Sequence, residues 1–274
     1  MDDKLAVIVV TINYSVLSDF FDSLKKQKNR SFHLYLTDIS PKKKELAPDG
    51  FEYTVIPAEN RGYSYAMNIA LRAAIKKGFR YFCVVNDDTF FKEDFVDRVL
   101  QSVKNHPRSI IGGKIYYAPG YEYHKDRYKN EELGRVIWSA GGYVDWDHAL
   151  TFHRGVDEVD HGQYDTVSEV TYVTGAFIAF DGRVVETAGF WDESYFLFYE
   201  DADYMERAKR RGVKLIFDPS MVIWHKVSQS TGGSGSPLHQ KYQARNRVKF
   251  GLRYAPWKTK LHLIKNYFVE KLKK

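Results

Sequence analysis

The segment from Tyr81 to Asp88 reads YFCVVNDD, an apolar run that ends abruptly in polar and acidic residues. The segment Leu5–Thr11 reads LAVIVVT and is apolar and rich in β-branched residues. Such runs are typical of strands buried on both faces of a parallel sheet. Ligand sites of open α/β sheets lie beyond the carboxyl ends of the strands, which is where Asn86, Asp87 and Asp88 fall.

Helical and strand patterns alternate around these two runs. Helices are predicted over residues 18–26, 63–77 and 201–211, and strands over 32–37, 53–57, 110–117, 170–180, 213–217 and 221–224. This alternation predicts an α/β fold with a mainly parallel central sheet flanked by helices. The polar and aromatic segment 119–168 has no clear period, and long segments of this kind are often functional.

The composition indicates a packed globular protein. Of 274 residues, 44% are hydrophobic and 28% are charged, and neither an internal repeat nor a linker divides the chain. Cys83 is the only cysteine, so an intrachain disulfide and a thiolate cluster for zinc or iron–sulfur are both excluded. The first residues do not resemble a secretory signal, and we expect a cytoplasmic protein.

The charge is distributed unevenly along the chain. The net charge is +6, but residues 241–274 hold 11 of the 41 lysines and arginines and a single acid, which leaves −4 on the first 240 residues. A nucleic-acid-binding domain would spread positive charge over its binding face. We therefore expect no nucleic-acid partner, and the basic tail requires its own explanation.

Three groups of residues could carry chemistry. The carboxylates that follow Asn86, those of Asp87 and Asp88, could hold Mg²⁺ or Mn²⁺ against a diphosphate, although an acid in that turn also caps a following helix. Residues 200–203 (EDAD) place acids at a helix start, where the helix dipole alone favours them. His225 ends a predicted strand, where a lone histidine is more often structural than a metal ligand. The functional interpretation depends on their coincidence.

These groups belong to a longer series of motifs. The first half carries, in order, Val9-Val10-Thr11-Ile12-Asn13, Asp38-Ile39-Ser40, Asn60-Arg61-Gly62 and Asn86-Asp87-Asp88. The second half carries Val173-Thr174-Gly175-Ala176, Gly189-Phe190-Trp191-Asp192-Glu193, Tyr199-Glu200-Asp201-Ala202-Asp203 and His225. From about Leu5 to Asn246 the chain resembles the inverting family 2 glycosyltransferases of GT-A fold, in the branch of the bacterial rhamnosyltransferases and galactofuranosyltransferases.

The resemblance implies a domain organisation. Residues 1–240 are expected to form a single GT-A catalytic domain, with a nucleotide-sugar half to about residue 115 and an acceptor half from about 116. Residues 241–274 are expected to form a basic helical tail.

By matching position, the resemblance places a nucleotide-sugar donor, a UDP- or dTDP-sugar, against the first half. Thr11, Asn13 and Asp38 are expected to contact the base and ribose. Arg61 is expected near the base or phosphates, and Asp87 at the ribose or sugar.

The resemblance also assigns a divalent cation, Mn²⁺ or Mg²⁺, to Asp88 and His225. The family's DxD motif reads Asn86-Asp87-Asp88 here, so its first acid is an amide. The last position is the usual metal ligand, and we expect metal binding to survive. A site with one carboxylate and one histidine favours Mn²⁺.

On the acceptor side, Asp201 matches the family's general base, which takes the proton of the acceptor hydroxyl as that oxygen attacks the anomeric carbon. Trp191, Asp192 and Glu200 are assigned to acceptor binding. Asp192 and Glu200 are also rivals of Asp201, because both lie in the same acidic, aromatic block and desolvation raises the basicity of a carboxylate. The acceptor is expected to be a glycan or lipid-linked glycan of bacterial cell-surface polysaccharide or glycoconjugate assembly.

Other functions are disfavoured to different degrees. A sugar nucleotidyltransferase would need a glycine-rich phosphate loop after the first strand, and residues 11–15 (TINYS) contain no glycine. A dehydrogenase would need G-x-G-x-x-G between a strand and a helix, which the chain lacks. A catalytically weak or inactive GT-A scaffold stays open because of Asn86.

The end of the chain carries an amphipathic pattern. Apolar residues recur at steps of 4, 3, 4 and 4 on one face of a predicted helix, namely Trp257, Leu261, Ile264, Phe268 and Leu272. This face either packs on the catalytic domain or another subunit, or lies on anionic lipid at the cytoplasmic side of a membrane. Residues 228–237 (SQSTGGSGSP) predict a flexible loop that closes over the donor.

Overall fold

Strands and helices alternate through the first half of the computed structural model, which describes residues 3–227 and 237–272, the side chains of 238, 239 and 267–272 excepted. Its strands are β1 (Leu5–Thr11), β2 (Phe32–Asp38), β3 (Tyr53–Pro57), β4 (Tyr81–Val85), β5 (Thr89–Phe90), β6 (Ser109–Tyr117), β7 (Ile137–Ser139), β8 (Gly142–Asp145), β9 (Leu150–His153), β10 (Ser168–Glu169), β11 (Phe177–Asp181) and β12 (Lys214–His225). Its helices are α1 (Leu17–Lys25), α2 (Tyr63–Lys76), α3 (Phe95–Asn105), α4 (Gly182–Ala188), α5 (Glu200–Arg210), α6 (Pro237–Tyr254) and α7 (Trp257–Leu272).

The central sheet has the order β10-β12-β6-β11-β4-β1-β2-β3. Alternate side chains of β1 enter different cores: Val7 and Val9 pack with α1 and α3, whereas Ala6 and Ile8 pack with α2, α4 and α5. Helices therefore cover both faces of the sheet, which explains why no polar residue interrupts the first apolar run. The predicted α/β architecture is confirmed.

One strand, β11, runs against its neighbours. It is antiparallel to both β4 and β6, so the sheet is parallel in β3-β2-β1-β4 and in β6-β12 but mixed as a whole. The strand predicted over residues 170–180 begins only at Phe177, which pairs with Val85 at the end of β4. The residues before Phe177 form a loop instead, and the antiparallel pairing brings that loop beside residues 86–88.

The second half departs from the predicted pattern in two further places. The two strands predicted over 213–224 are one strand, β12, whose register shifts between Asp218 and Val222. The irregular segment 119–168 carries β7, which pairs with β6, and the hairpin β8-β9. This hairpin contacts the C-terminal helices: Thr259 of α7 donates a hydrogen bond at 2.8 Å to the carbonyl of Trp146, which lies between β8 and β9.

The predicted basic tail consists of α6 and α7, and α6 begins at Pro237. Phe250 of α6 is fully buried and packs against Tyr199, with their ring centroids 5.5 Å apart. Residues 228–236 of the predicted loop, and the side chains of Phe268 and Leu272, lie outside the described residues. Within the described chain, each helix is too short or too polar to cross a bilayer.

Candidate active site

A cavity of about 470 Å³ lies where the two halves of the chain meet. Its walls come from residues just after β1 and β4, the loop before β11, the end of β12 and the first turn of α5. The lining residues that bear on chemistry are Tyr63, Asn86, Asp87, Asp88, His153, Tyr172, Gly175, Glu200, Asp201 and His225. The structure thus brings the three groups of candidate residues to one cavity.

Asp88 and His225 meet through strand pairing. Thr89 of β5 pairs with His225 of β12, and the backbone N–H of Lys226 donates to the carbonyl of Asp88 at 2.9 Å. The His225 Nε2 then lies 2.9 Å from the Asp88 Oδ1, with both side chains buried. The contact is therefore imposed by the backbone rather than by the two side chains alone.

This pair fits a divalent cation. Adjacent ligand atoms of an octahedral cation bound at about 2.0–2.1 Å lie about 2.9 Å apart, which matches the Oδ1–Nε2 distance of 2.9 Å. The described residues hold no group of three or more His, Cys, Asp or Glu side chains placed for a metal. A cation would thus take few ligands from the protein and the remainder from phosphate and water, the usual arrangement for Mg²⁺ with a nucleotide.

Asn86 ties the neighbouring elements together. Its backbone N–H donates to the carbonyl of Ala176 at 3.0 Å, and its side-chain Oδ1 accepts from the Tyr63 hydroxyl at 3.2 Å. Its Nδ2 lies 3.4 Å from the Nε2 of His225. A carboxylate at this position would lack the Nδ2 donor and would add negative charge. The amide therefore bridges α2 and the histidine without contributing a charge to the site.

Glu200 and Asp201 line the cavity from the first turn of α5. The Asp201 Oδ2 accepts hydrogen bonds from the Tyr172 hydroxyl at 2.6 Å and from the backbone N–H of Gly175 at 3.0 Å. Glu200 is buried, and its Oε2 has no hydrogen-bond partner among the described residues. Burial, reinforced by the charge of Asp201, raises the pKa of Glu200 to about 8. Glu200 therefore carries a proton at neutral pH.

Asp192 lies outside this cavity. Burial opposes its ionisation, but hydrogen bonds from Ser194 and the guanidinium of Arg253, 2.8 Å away, outweigh burial and lower the pKa of Asp192 to about 2. A carboxylate of such low basicity is a poor proton acceptor. Its neighbour Trp191 is also placed in the core, where its ring stacks on Tyr204 with centroids 4.9 Å apart and it is 2% exposed. In this conformation neither residue is positioned to contact a sugar in the cavity.

Of the residues matched to the nucleotide sugar, Asp87 lines the cavity, whereas Thr11, Asn13, Asp38 and Arg61 lie beside it. Thr11 and Asp38 are buried, and Asp38 accepts from the Tyr14 hydroxyl at 2.6 Å. Asn13 caps a short turn through Ser15. The structure places Arg61 against the ring of Tyr65.

Their direct neighbours do line the cavity. These are Val10, Ile12, Ile39, Asn60 and Gly62. At the ends of β1 and β2 the offset by one residue follows from the alternation of side chains along an extended chain.

Tyr172, Tyr63 and His153 are among the lining residues that were not identified from the sequence. Tyr172 binds Asp201, Tyr63 binds Asn86, and the Nδ1 of His153 lies 3.0 Å from the Ser139 hydroxyl. Burial, and secondarily the proximity of His225, lowers the pKa of His153 to about 4. Tyr172 and Tyr63 directly adjoin the quoted motifs at Val173 and Gly62, and this adjacency was the one available signal.

A scan against protein families matches residues 6–159 to the model of glycosyl transferase family 2. The chain belongs to this family. The match covers more than half of the chain and includes the Asn86-Asp87-Asp88 motif.

Known proteins resemble this glycosyltransferase over most of its length. It is 20% identical over 255 residues to the dTDP-rhamnosyl transferase RfbF of Shigella flexneri, an alignment that covers 91% of this chain and 79% of RfbF. A crystal structure of GalNAc-T7 with UDP, GalNAc and Mn²⁺ superposes with a TM-score of 0.64 at 16% identity, covering 90% of this chain and 47% of GalNAc-T7. The glycosyltransferase thus spans about half of that larger chain. S. aureus TarS 1-349 in complex with UDP superposes with a TM-score of 0.54 at 14% identity, covering 93% of this chain and 67% of TarS 1-349.

The proton on Glu200 predicts how stability depends on pH. From roughly pH 4.5 to pH 8 the folded protein binds a proton that the unfolded chain has lost, so the free energy of unfolding falls as pH rises. Glu200→Gln removes this effect. As the pH rises through that window, the free energy of unfolding of Glu200→Gln should increase relative to that of the wild type by up to about 1.4 kcal/mol per pH unit. Urea denaturation from pH 5 to 8 measures the difference, with the exposed Glu186→Gln as control. Parallel stability curves for the wild type and Glu200→Gln would show that Glu200 ionises normally.

Proposed function

We propose that this glycosyltransferase moves a sugar from a nucleotide-diphosphate sugar to a hydroxyl of a glycan acceptor, with inversion at the anomeric carbon. The observation that carries the proposal is the convergence of Asp88, His225 and Asp201 in one cavity. The first two lie beside each other and fit a cation. The third is a hydrogen-bonded carboxyl group on the first turn of α5. A donor held at the pair would present its anomeric carbon to the same cavity.

The donor is proposed to be a dTDP-sugar, with a UDP-sugar as the alternative. The relative RfbF is named for dTDP-rhamnose transfer, whereas GalNAc-T7 and TarS are described with UDP. The nucleotide would lie along Ile12 and Ile39, beside Thr11, Asn13 and Asp38. Asp87 would contact the ribose or sugar. Arg61 is exposed next to Gly62 and supplies positive charge for the diphosphate.

Asp88 and His225 would hold the divalent cation, Mn²⁺ or Mg²⁺. When bound, the cation neutralises negative charge on the leaving diphosphate. Asn86 lies beside the pair, with its Nδ2 3.4 Å from the Nε2 of His225, and adds no negative charge to the site. Burial of the pair excludes water from the remaining faces of both ligands.

Asp201 would act as the general base. The acceptor oxygen forms a bond to the anomeric carbon, the bond from that carbon to the diphosphate oxygen breaks, and Asp201 takes the hydroxyl proton. Tyr172 and Gly175 fix its carboxylate from one side. Glu200 already carries a proton at neutral pH and Asp192 is only weakly basic, so both rivals are less suited to the role.

The base assignment predicts a difference between two isosteric variants. Asp201→Asn should leave donor affinity nearly unchanged and lower kcat by about 100-fold or more, because the carboxylate acts on the acceptor proton in the transition state. Glu200→Gln replaces one neutral group by another and should keep kcat within about 10-fold at pH 7. Steady-state kinetics with a saturating donor measures both. The reverse order of effects would transfer the base role to Glu200.

The metal assignment predicts the effect of removing either ligand. Asp88→Ala and His225→Ala should each abolish most metal-dependent turnover and weaken Mn²⁺ binding in the presence of nucleotide, whereas Asn86→Ala should do less. Electron paramagnetic resonance of Mn²⁺ and a donor-turnover assay with EDTA measure these effects, and exposed His148→Ala is the control. Undiminished turnover by Asp88→Ala in EDTA would rule out this cation site.

We further propose that α7 lies on an anionic membrane surface, where a lipid-linked glycan would be presented at the cytoplasmic side. Thr259 and Leu263 are buried against the rest of the protein, whereas Trp257, Leu261 and Ile264 are 66%, 57% and 40% exposed. The exposed three share one face at steps of four and three. Helix α7 therefore packs on the protein through Thr259 and Leu263, whereas the apolar face identified from the sequence points to solvent.

The charge of α7 favours lipid over a second protein copy. The sequence of α7 contains four lysines, Lys258, Lys260, Lys265 and Lys271, and one acid, Glu270. Each basic residue near an anionic surface contributes about 1 kcal/mol of binding free energy. The exposed tryptophan suits the headgroup region.

Liposome co-sedimentation checks this surface. Truncation near Ala255 would uncover the contacts of Leu263, so the sharper comparison is the full chain against a Trp257→Ser, Leu261→Ser, Ile264→Ser variant. The wild type should pellet with phosphatidylserine vesicles, less so at high salt, and the variant should stay in the supernatant. Equal recovery of both in the supernatant, together with a dimer lost in the variant, would assign this face to self-association.

A further inference from the structure

The chain makes a turn immediately before Glu200 and Asp201, and helix α6 holds this turn. Phe198 and Tyr199 have φ angles of 64° and 66°, the left-handed region that side chains other than glycine rarely adopt. Two consecutive residues in this region are strained unless their surroundings compensate. The compensating contacts come from a distant part of the chain.

Asn246 of α6 supplies the central contact. Its side-chain Nδ2 donates to the carbonyl of Leu197 at 2.8 Å and to the carbonyl of Phe198 at 3.0 Å. The residue is 2% exposed, so water cannot replace either bond. One amide group thus satisfies two consecutive carbonyls of the strained turn.

We propose that Asn246 is a positioning residue for the base Asp201, acting by fixing the left-handed turn at Phe198 and Tyr199; the inference rests on the proposed function. The turn is directly continuous with α5, since the N–H of Asp203 donates to the carbonyl of Tyr199 at 2.9 Å. The orientation of the first turn of α5, and with it the carboxylate of Asp201, therefore follows that of the turn.

Other contacts of α6 act in the same direction. Phe250, one turn after Asn246, packs on the ring of Tyr199, and Arg253 lies 2.7 Å from the Oδ1 of Asp203. Helix α6 thus contacts the chain on both sides of Asp201, at Tyr199 and at Asp203. Of these contacts, the amide of Asn246 is the one that engages the strained backbone itself.

Displacement of a catalytic group by about 1 Å lowers the rate about 100-fold. Asn246→Ala removes both donors without adding bulk. It should lower kcat about 10-fold to 100-fold and leave donor affinity within about twofold of the wild type. Hydrogen exchange of residues 197–204 should also become faster. Asn246→Ser keeps one short donor, so its kcat and its hydrogen exchange should lie between those of the wild type and Asn246→Ala. It takes the place of Asn246→Ala if that variant does not fold.

Leu263→Ala is the matched control. Leu263 is buried and packs on Gly251 of α6, so the variant weakens the packing of α7 on α6 and leaves the contacts of Asn246 and Phe250 with the turn in place. At a temperature well below its unfolding transition, Leu263→Ala should keep the wild-type kcat and the wild-type exchange of residues 197–204.

The inference would be overturned by a wild-type kcat in Asn246→Ala, by unchanged exchange of residues 197–204, or by an equal loss in Leu263→Ala. The exchange measurement does not depend on activity. A wild-type protein that transfers sugar from no donor would therefore refute the proposed function, while exchange would still decide whether Asn246 holds the turn.

Discussion

The pairing of β11 with the end of β4 is the constraint on which the site depends. Because β11 runs antiparallel, its first residue, Phe177, lies beside Val85, and the backbone N–H of Asn86 bonds to the carbonyl of Ala176. A parallel strand would have put the loop before β11 at the far edge of the sheet. The reversal instead brings Gly175, which binds Asp201, next to the acidic turn after β4.

A second strand pairing, between β5 and β12, also brings distant residues of the site together. The short strand β5 pairs with the end of β12, so Asp88 and His225 are held together by backbone hydrogen bonds. The carboxyl groups of α5 reach the cavity from the opposite half of the chain. These two strand pairings bring Asp88, His225 and the loop that binds Asp201 to one cavity, where the proposed donor site and base would meet.

Local patterns predict much of this fold, and the reasons for the failures are physical. β1 and β4 have the predicted bounds because buried runs flanked by breakers leave few choices, and the more exposed β3 also has its predicted bounds. The direction of β11 and the continuity of β12 depend on pairing partners far along the chain, which no local period records. The cluster of Asp88, Asp201 and His225 was expected from a family resemblance, whereas Tyr172 carries no pattern of its own. The sequence analysis divided the basic tail from the catalytic domain, and the tail differs from it in charge. The structure instead buries Phe250 of α6 in the core of the protein.

A thermal-shift titration of the full chain tests the account most directly, because a ligand that binds the folded state raises its melting temperature. dTDP-, UDP- and GDP-sugars would be compared with Mn²⁺ and with EDTA. The account predicts a concentration-dependent rise in Tm with a dTDP- or UDP-sugar and Mn²⁺, lost in EDTA and in Asp88→Ala. No shift with either donor, or a shift of equal size in EDTA and in Asp88→Ala, would contradict it.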